Sequence, residues 1–132
     1  MTGDAGEHYA LSQFTFAGKP ASKMPDLWPG YDLIIRDGKK NLSVSVKTRT
    51  ETNGWKNSQW FTFDDRNAVD WIVLIFKPQD GTLNSWIIPF DIAKNNANTP
   101  GENRKNKWER DISWSSLQKK LLKYKENWIL NK

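Results

Sequence analysis

The 132-residue chain predicts a single mixed α/β domain, a central sheet of about four to five strands flanked by helices. Three observations predict it. The first segment carries apolar residues at helical spacing, and two short runs rich in Ile, Leu and Val follow it. Further on, Trp71 to Phe76 is apolar at every position, as expected of a central strand covered on both faces. This order excludes a repeat protein and an all-helical bundle.

The elements follow in order. Asp4 is a plausible N-cap for a helix running to Ala17 and ended by Gly18 and Pro20. Tyr9, Ala10, Gln13, Phe14 and Ala17 give that helix a buried face, and Glu7 shares it. A carboxylate on an apolar face needs a partner. A Pro-containing loop from Pro20 to Gly30 leads into the runs Tyr31 to Ile35 and Val44 to Lys47, joined by a turn from Arg36 to Asn41. Thr48 to Gln59 is polar and reads as a loop. Asp64 to Val69 reads as a short helix, its first acids capping it, before the central strand. Lys77 to Gly81 is a turn, and Leu83 to Phe90 is one more strand.

From Asp91 to Lys107 the composition shifts to Asn, Lys and Arg around Pro100-Gly101, which suggests an exposed loop. Ser115 to Trp128 places Leu117, Leu121, Tyr124 and Trp128 on one helical stripe. The domain thus reads as a core over about residues 4–92 with a basic loop and helix over 93–132. Eight Trp, six Phe and three Tyr supply the core, since each buried aromatic removes roughly 150 to 250 Å² from water.

Composition narrows the chemistry. With no Cys and with His8 as the one histidine, thiolate sites, cysteine nucleophiles and multi-imidazole metal cages are excluded. A catalytic metal must use oxygen ligands, which favours Mg²⁺ or Mn²⁺. The net charge of +5 suits a polyanionic partner. It is concentrated late: Lys and Arg outnumber Asp and Glu ten to four between Lys94 and Lys132. The first seven residues lack signal-peptide character and no run of about 18 apolar residues exists, so a cytoplasmic protein without a membrane partner is expected.

Asp32 and Lys47 stand out, because a hairpin would bring a carboxylate and an ammonium together at the ends of its strands. Gly6-Glu7 on the helix, Gly30 to Ile35, and Val44-Ser45-Val46-Lys47-Thr48 together resemble the PD-(D/E)xK nuclease superfamily. The likeness is to its small restriction-endonuclease-like and Holliday-junction-resolvase-like members, and it spans about the first 90 residues. It implies a restriction-endonuclease-like fold and a metal-dependent DNA endonuclease or resolvase-like phosphodiesterase. The implied catalytic positions are Glu7, Asp32, Ser45 and Lys47, with Glu7, Asp32 and the Val46 carbonyl as ligands to Mg²⁺ or Mn²⁺. Ser45 departs from the pattern, which places an acid there.

DNA is the implied partner. Thr48, Arg49, Trp55, Lys56, Arg104, Lys105 and Lys107 are the residues expected to face it, Trp55 by stacking on bases. Trp60 is expected in the core. Resolvase-like enzymes act as homodimers, though nothing in this chain marks an isologous interface. The alternative reading is a catalytically impaired nuclease fold that binds nucleic acid or a protein partner, as an immunity or regulatory module.

Overall fold

The computed structural model describes residues 2–51, 60–99 and 106–132. A five-stranded mixed sheet forms the middle layer. Its strands are β1 (Ala21–Lys23), β2 (Leu33–Asp37), β3 (Lys40–Thr50), β5 (Trp71–Lys77) and β6 (Asn84–Pro89), in the spatial order β1-β2-β3-β5-β6. Only β3 and β5 run parallel, with Val46 opposite Val73 and Lys47 opposite Leu74. A second, two-stranded sheet pairs β4 (Trp60–Asp64) with β7 (Glu109–Ser113). Among the described residues no helix is long and apolar enough to cross a membrane.

Strand alternation divides the interior into two cores. On one face Val44, Val46, Trp71, Val73 and Ile75 pack against Ala10 and Phe14 of α1 (Thr2–Phe16). On the other, Ile72, Leu74, Phe76, Trp86 and Ile88 pack beneath Phe61, Phe63 and Ile112 of the small sheet. The two cores give three layers, helix, sheet and accessory sheet.

Helix α1 ends by the bonding pattern of a Schellman motif. Lys19 N–H donates to the Phe14 carbonyl at 2.8 Å and Gly18 N–H to that of Thr15 at 3.0 Å. Gly18 has φ 81°, the left-handed conformation this ending requires. The hairpin loop between β2 and β3 is only Gly38-Lys39, so both strands extend beyond the expected turn boundaries.

Several expected elements differ. β3 continues through Thr50 because β5 pairs with it to Lys77, so Thr48 to Thr50, expected to open a loop, are strand. Asp64 to Val69 is not helical: the Asp64 carboxylate accepts the Arg66 amide at 2.8 Å, an alternative to the helical backbone bond. Phe90–Asn95 forms α2, with Phe90 and Ala93 buried, where the sequence predicts the end of a strand and the start of a loop. Strands β1, β4 and β7 were not anticipated.

The expected helix over 115–128 is instead α3 (Trp114–Gln118), a 3₁₀ turn (Leu122–Tyr124) and a tail of turns with Glu126 and Leu130 at positive φ. Its apolar stripe serves two faces. Leu117, Leu121 and Tyr124 enter the accessory-sheet core, while Trp128 and Leu130 enter the α1 core. A straight helix cannot reach both sides of the sheet, so the chain turns around the edge strand β6. Glu126 N–H donates to the Ser85 carbonyl at 2.8 Å, and the Asn127 amide donates to that of Ile87 at 3.1 Å. These bonds occupy carbonyls that an open edge would leave exposed. Trp60 is 42% exposed, so the expectation of a core tryptophan there is not met.

At Gly6, α1 lies close against Thr48 of β3. A Cβ at Gly6 would overlap the Thr48 hydroxyl oxygen, which is buried without a hydrogen-bond partner among the described residues. Gly6→Ala is therefore expected to destabilise the fold by about 1 to 3 kcal/mol through overpacking, despite alanine's better helix propensity. Thr48→Ala in the same chain is expected to recover most of that loss. Denaturant titration of the single and double variants checks both, and a fully stable Gly6→Ala protein contradicts the close crossing.

Candidate functional site

Asp32 lies in the residue pair that precedes β2, where the β2–β3 ladder ends at Leu33 opposite Val44. Its backbone N–H donates to the Val44 carbonyl at 2.9 Å, and its Oδ2 accepts the Val46 N–H at 2.7 Å. The side chain thus takes over from the ladder one step beyond its end. A strand residue directs its N–H and C=O to the same edge, so the Val46 carbonyl also opens on the Asp32 side. Oδ1 of Asp32 has no hydrogen-bond partner among the described residues.

Ser45 and Lys47 leave β3 on the face opposite Val44 and Val46. They line a cavity of about 140 Å³ with Asp32, Tyr31, Trp28 and Asp64. Lys47 is half-buried, and its ammonium has no ion pair or hydrogen bond among the described residues. The strand pattern therefore gathers Asp32, Ser45 and Lys47 as the sequence suggested. Trp28 stands at the rim, 46% exposed, its ring edge-on to Tyr31 at 6.2 Å.

Glu7 approaches from the helix side. It lines a neighbouring cavity of about 260 Å³, and Asp32, Trp28 and Tyr31 belong to both. Burial, then the nearby Asp32 carboxylate, raises the Glu7 pKa above its ordinary value, while Lys23 opposes the shift. Lys23 on β1 is a residue the sequence reading missed. Its Nζ lies 3.1 Å from Asp26, 3.6 Å from Asp4 and 3.7 Å from Glu7. β1 is a three-residue strand without a hydrophobic pattern, so no sequence signal placed Lys23 here.

Asp64 is the second residue missed. The sequence suggests that it caps a helix, which does not form, and it lines the Lys47 cavity instead. Arg66 grips it, with Nη2 2.7 Å from Oδ2 and Nε 3.1 Å from Oδ1. Hydrogen bonding from Arg66 chiefly, with a smaller contribution from the Lys47 ammonium, holds its carboxyl below the usual range. The neighbouring acids are structural. Asp65 pairs with Arg110 at 2.6 Å, and Asp70 accepts the Ser43 N–H at 2.8 Å.

The remaining expected contacts scatter. The Thr48 hydroxyl is buried on the α1 face, so Thr48 is not gathered with Asp32 and Lys47. Arg49 shares the face of Lys47 by alternation. Lys107 is exposed just before β7. Trp55, Lys56, Arg104 and Lys105 lie outside the described residues.

The donors around Asp32 are all oxygens: its own Oδ1, the Val46 carbonyl, the Ser45 hydroxyl and Glu7. Such a set fits a hard divalent cation that keeps much of its water, and a cation would relieve the repulsion between Glu7 and Asp32. Among the described residues no three His, Cys, Asp or Glu side chains form a group able to hold a metal on their own. Any cation here depends on backbone, hydroxyl and water oxygens as well.

No protein-family model and no curated protein matches the chain. Its structure is similar to that of a bacterial homing endonuclease, with a TM-score of 0.60 and 18% identity over 97% of this chain and 86% of that one. It is also similar to Hjc, a Holliday junction resolvase of the archaeal hyperthermophile Archaeoglobus fulgidus. There the TM-score is 0.56 and the identity 13%, over 87% of this chain and 86% of that one. The shared feature is the fold, a restriction-endonuclease-like mixed α/β layer.

The raised Glu7 pKa has a consequence for stability. The fold favours protonated Glu7, so ionised Glu7 opposes folding at any pH above its folded value. That penalty disappears as pH falls through the folded value towards the ordinary 4.5. In chelator-treated protein, Glu7→Gln is expected to raise stability at neutral pH and to lose its advantage on acidification. Denaturant titration across about pH 4 to 8 checks this, and an advantage that grows on acidification contradicts it.

Proposed function

We propose that this chain is a Mg²⁺- or Mn²⁺-dependent DNA phosphodiesterase, an endonuclease or resolvase-like enzyme of the PD-(D/E)xK group. The observation that carries the reading is the Lys47 ammonium, half-buried beside Asp32 without an ion pair among the described residues. An unpaired ammonium in a recess is set to meet an anionic group. The shared fold with a homing endonuclease and a Holliday junction resolvase supports a phosphodiester as that group.

Asp32 Oδ1, the Val46 carbonyl and Glu7 are the oxygens that would hold the cation, directly or through water. A cation held there would supply a water of lowered pKa and offset charge at the phosphorus centre. The protein's own groups do the remaining work. Lys47 orients the attacking water and donates to the phosphoryl oxygen that gains charge. The Val46 N–H fixes one oxygen of Asp32 and leaves the other without a hydrogen bond among the described residues. Tyr31 and Trp28 form part of the cavity wall. The excess of basic residues beyond Lys94 contributes affinity for the phosphate backbone, an affinity that weakens with salt.

Ser45 favours a second reading, in which the same fold binds DNA or a protein partner without cutting. Incubation with plasmid, branched and single-stranded DNA in Mg²⁺ or Mn²⁺ separates the two. Cleavage is expected, reduced by about 10²- to 10⁴-fold in Asp32→Ala and in Lys47→Ala. Salt-sensitive binding without cleavage supports the binding module, and cleavage indifferent to Asp32→Ala removes this cavity from the chemistry.

A further inference from the structure

Ser45 leaves the cavity short of an acid on the β3 face, and the accessory sheet brings one to the same cavity. We propose that Asp64 carries the negative charge that Ser45 lacks, acting on the water shell of a divalent cation at Asp32 from another wall of the cavity. The inference rests on the phosphodiesterase reading and identifies a positioning residue that the β3 motif does not contain.

Four observations carry it. Asp64 lines one cavity with Asp32, Ser45 and Lys47, although it comes from the end of β4, which belongs to a different sheet. Its orientation is fixed: Arg66 holds both carboxylate oxygens, and the Arg66 amide adds a bond at 2.8 Å. The guanidinium in turn lies 3.8 Å from the centre of the Trp108 ring, just before β7. A carboxylate offers about four acceptor sites, and three N–H groups of Arg66, Nε reaching both oxygens at 3.1 and 3.2 Å, leave one for a water.

The grip is not explained by stability. The Arg66 and Asp64 side chains are 57% and 29% exposed, and pairs in such settings contribute little. Third, no three acids among the described residues form a metal-holding group, so Asp64 does not join Asp32 and Glu7 as a direct ligand. Asp64 therefore acts through water. This suits Mg²⁺, which dehydrates reluctantly and needs only one or two direct carboxylates. Fourth, the cavity of about 140 Å³ has room for several waters, each occupying about 30 Å³ in the liquid.

The test is Mn²⁺ affinity, measured calorimetrically on the full chain without DNA, with Mn²⁺ alone as the probe. Asp64→Asn is expected to weaken binding by about 10- to 100-fold, the size typical of lost outer-shell partners. Ser45→Asp added to Asp64→Asn is expected to restore affinity, because it returns an acid to the β3 face of the same cavity. A misfolded Asp64→Asn protein would not be rescued by an acid at position 45, so rescue separates a positioning role from a structural one. Wild-type affinity in Asp64→Asn, alongside loss of binding in Asp32→Asn, overturns the inference and leaves the phosphodiesterase reading intact. Unchanged binding in both variants overturns the cation site itself, and the inference with it.

Discussion

The 2.7 Å bond from the Val46 N–H to Asp32 Oδ2 is the constraint on which the site depends. Without it, the β2 side of β3 would end at Val44, and the Asp32 carboxylate would be free to turn although its backbone stays bonded to the Val44 carbonyl. With it, a side chain continues the ladder, holding Asp32 to the residue before Lys47. The same edge directs the Val46 carbonyl towards the carboxylate, while alternation sends Ser45 and Lys47 into the cavity. One hydrogen bond thus relates four groups of the candidate chemistry.

The sheet makes this arrangement rigid because both of its faces are buried. β5 supplies Ile72, Leu74 and Phe76 to one core and Trp71, Val73 and Ile75 to the other. Pairing β3 with so buried a strand fixes Lys47 in register opposite Leu74. The flanking layers bring different charges to the cavities. α1 and β1 bring Glu7 and Lys23 to the side of Asp32 lined by Asp4 and Asp26, while the accessory sheet brings Asp64 to the Lys47 side. Asp32 stands at the junction, which is why Glu7 is influenced by it and Lys47 shares its cavity.

The legible part of this fold was the part with a strong period or a short, local geometry. Trp71 to Phe76 could be read because a continuous apolar run of six fits a strand buried on both faces. Asp32 and Lys47 could be read because a hairpin between two β-branched runs fixes their relation. Glu7 was legible as a carboxylate out of place on an apolar helix face. What stayed hidden depends on tertiary contacts. Leu117 to Trp128 carries a helical stripe, yet its members divide between two cores across an edge strand. β4 and β7 are stabilised by pairing with each other across a long sequence separation, so neither announces itself locally. Asp64 was misread for the same reason, as a cap on a helix that the Asp64–Arg66 turn prevents.

The most direct measurement is anomalous scattering from a crystal of the protein soaked in Mn²⁺. The account predicts a peak beside Oδ1 of Asp32, on the side onto which the Val46 carbonyl opens, with Glu7 reaching it directly or through water and Asp64 through water. A well-diffracting soaked crystal with no peak at Asp32, or with Mn²⁺ bound only at other acidic residues, contradicts it.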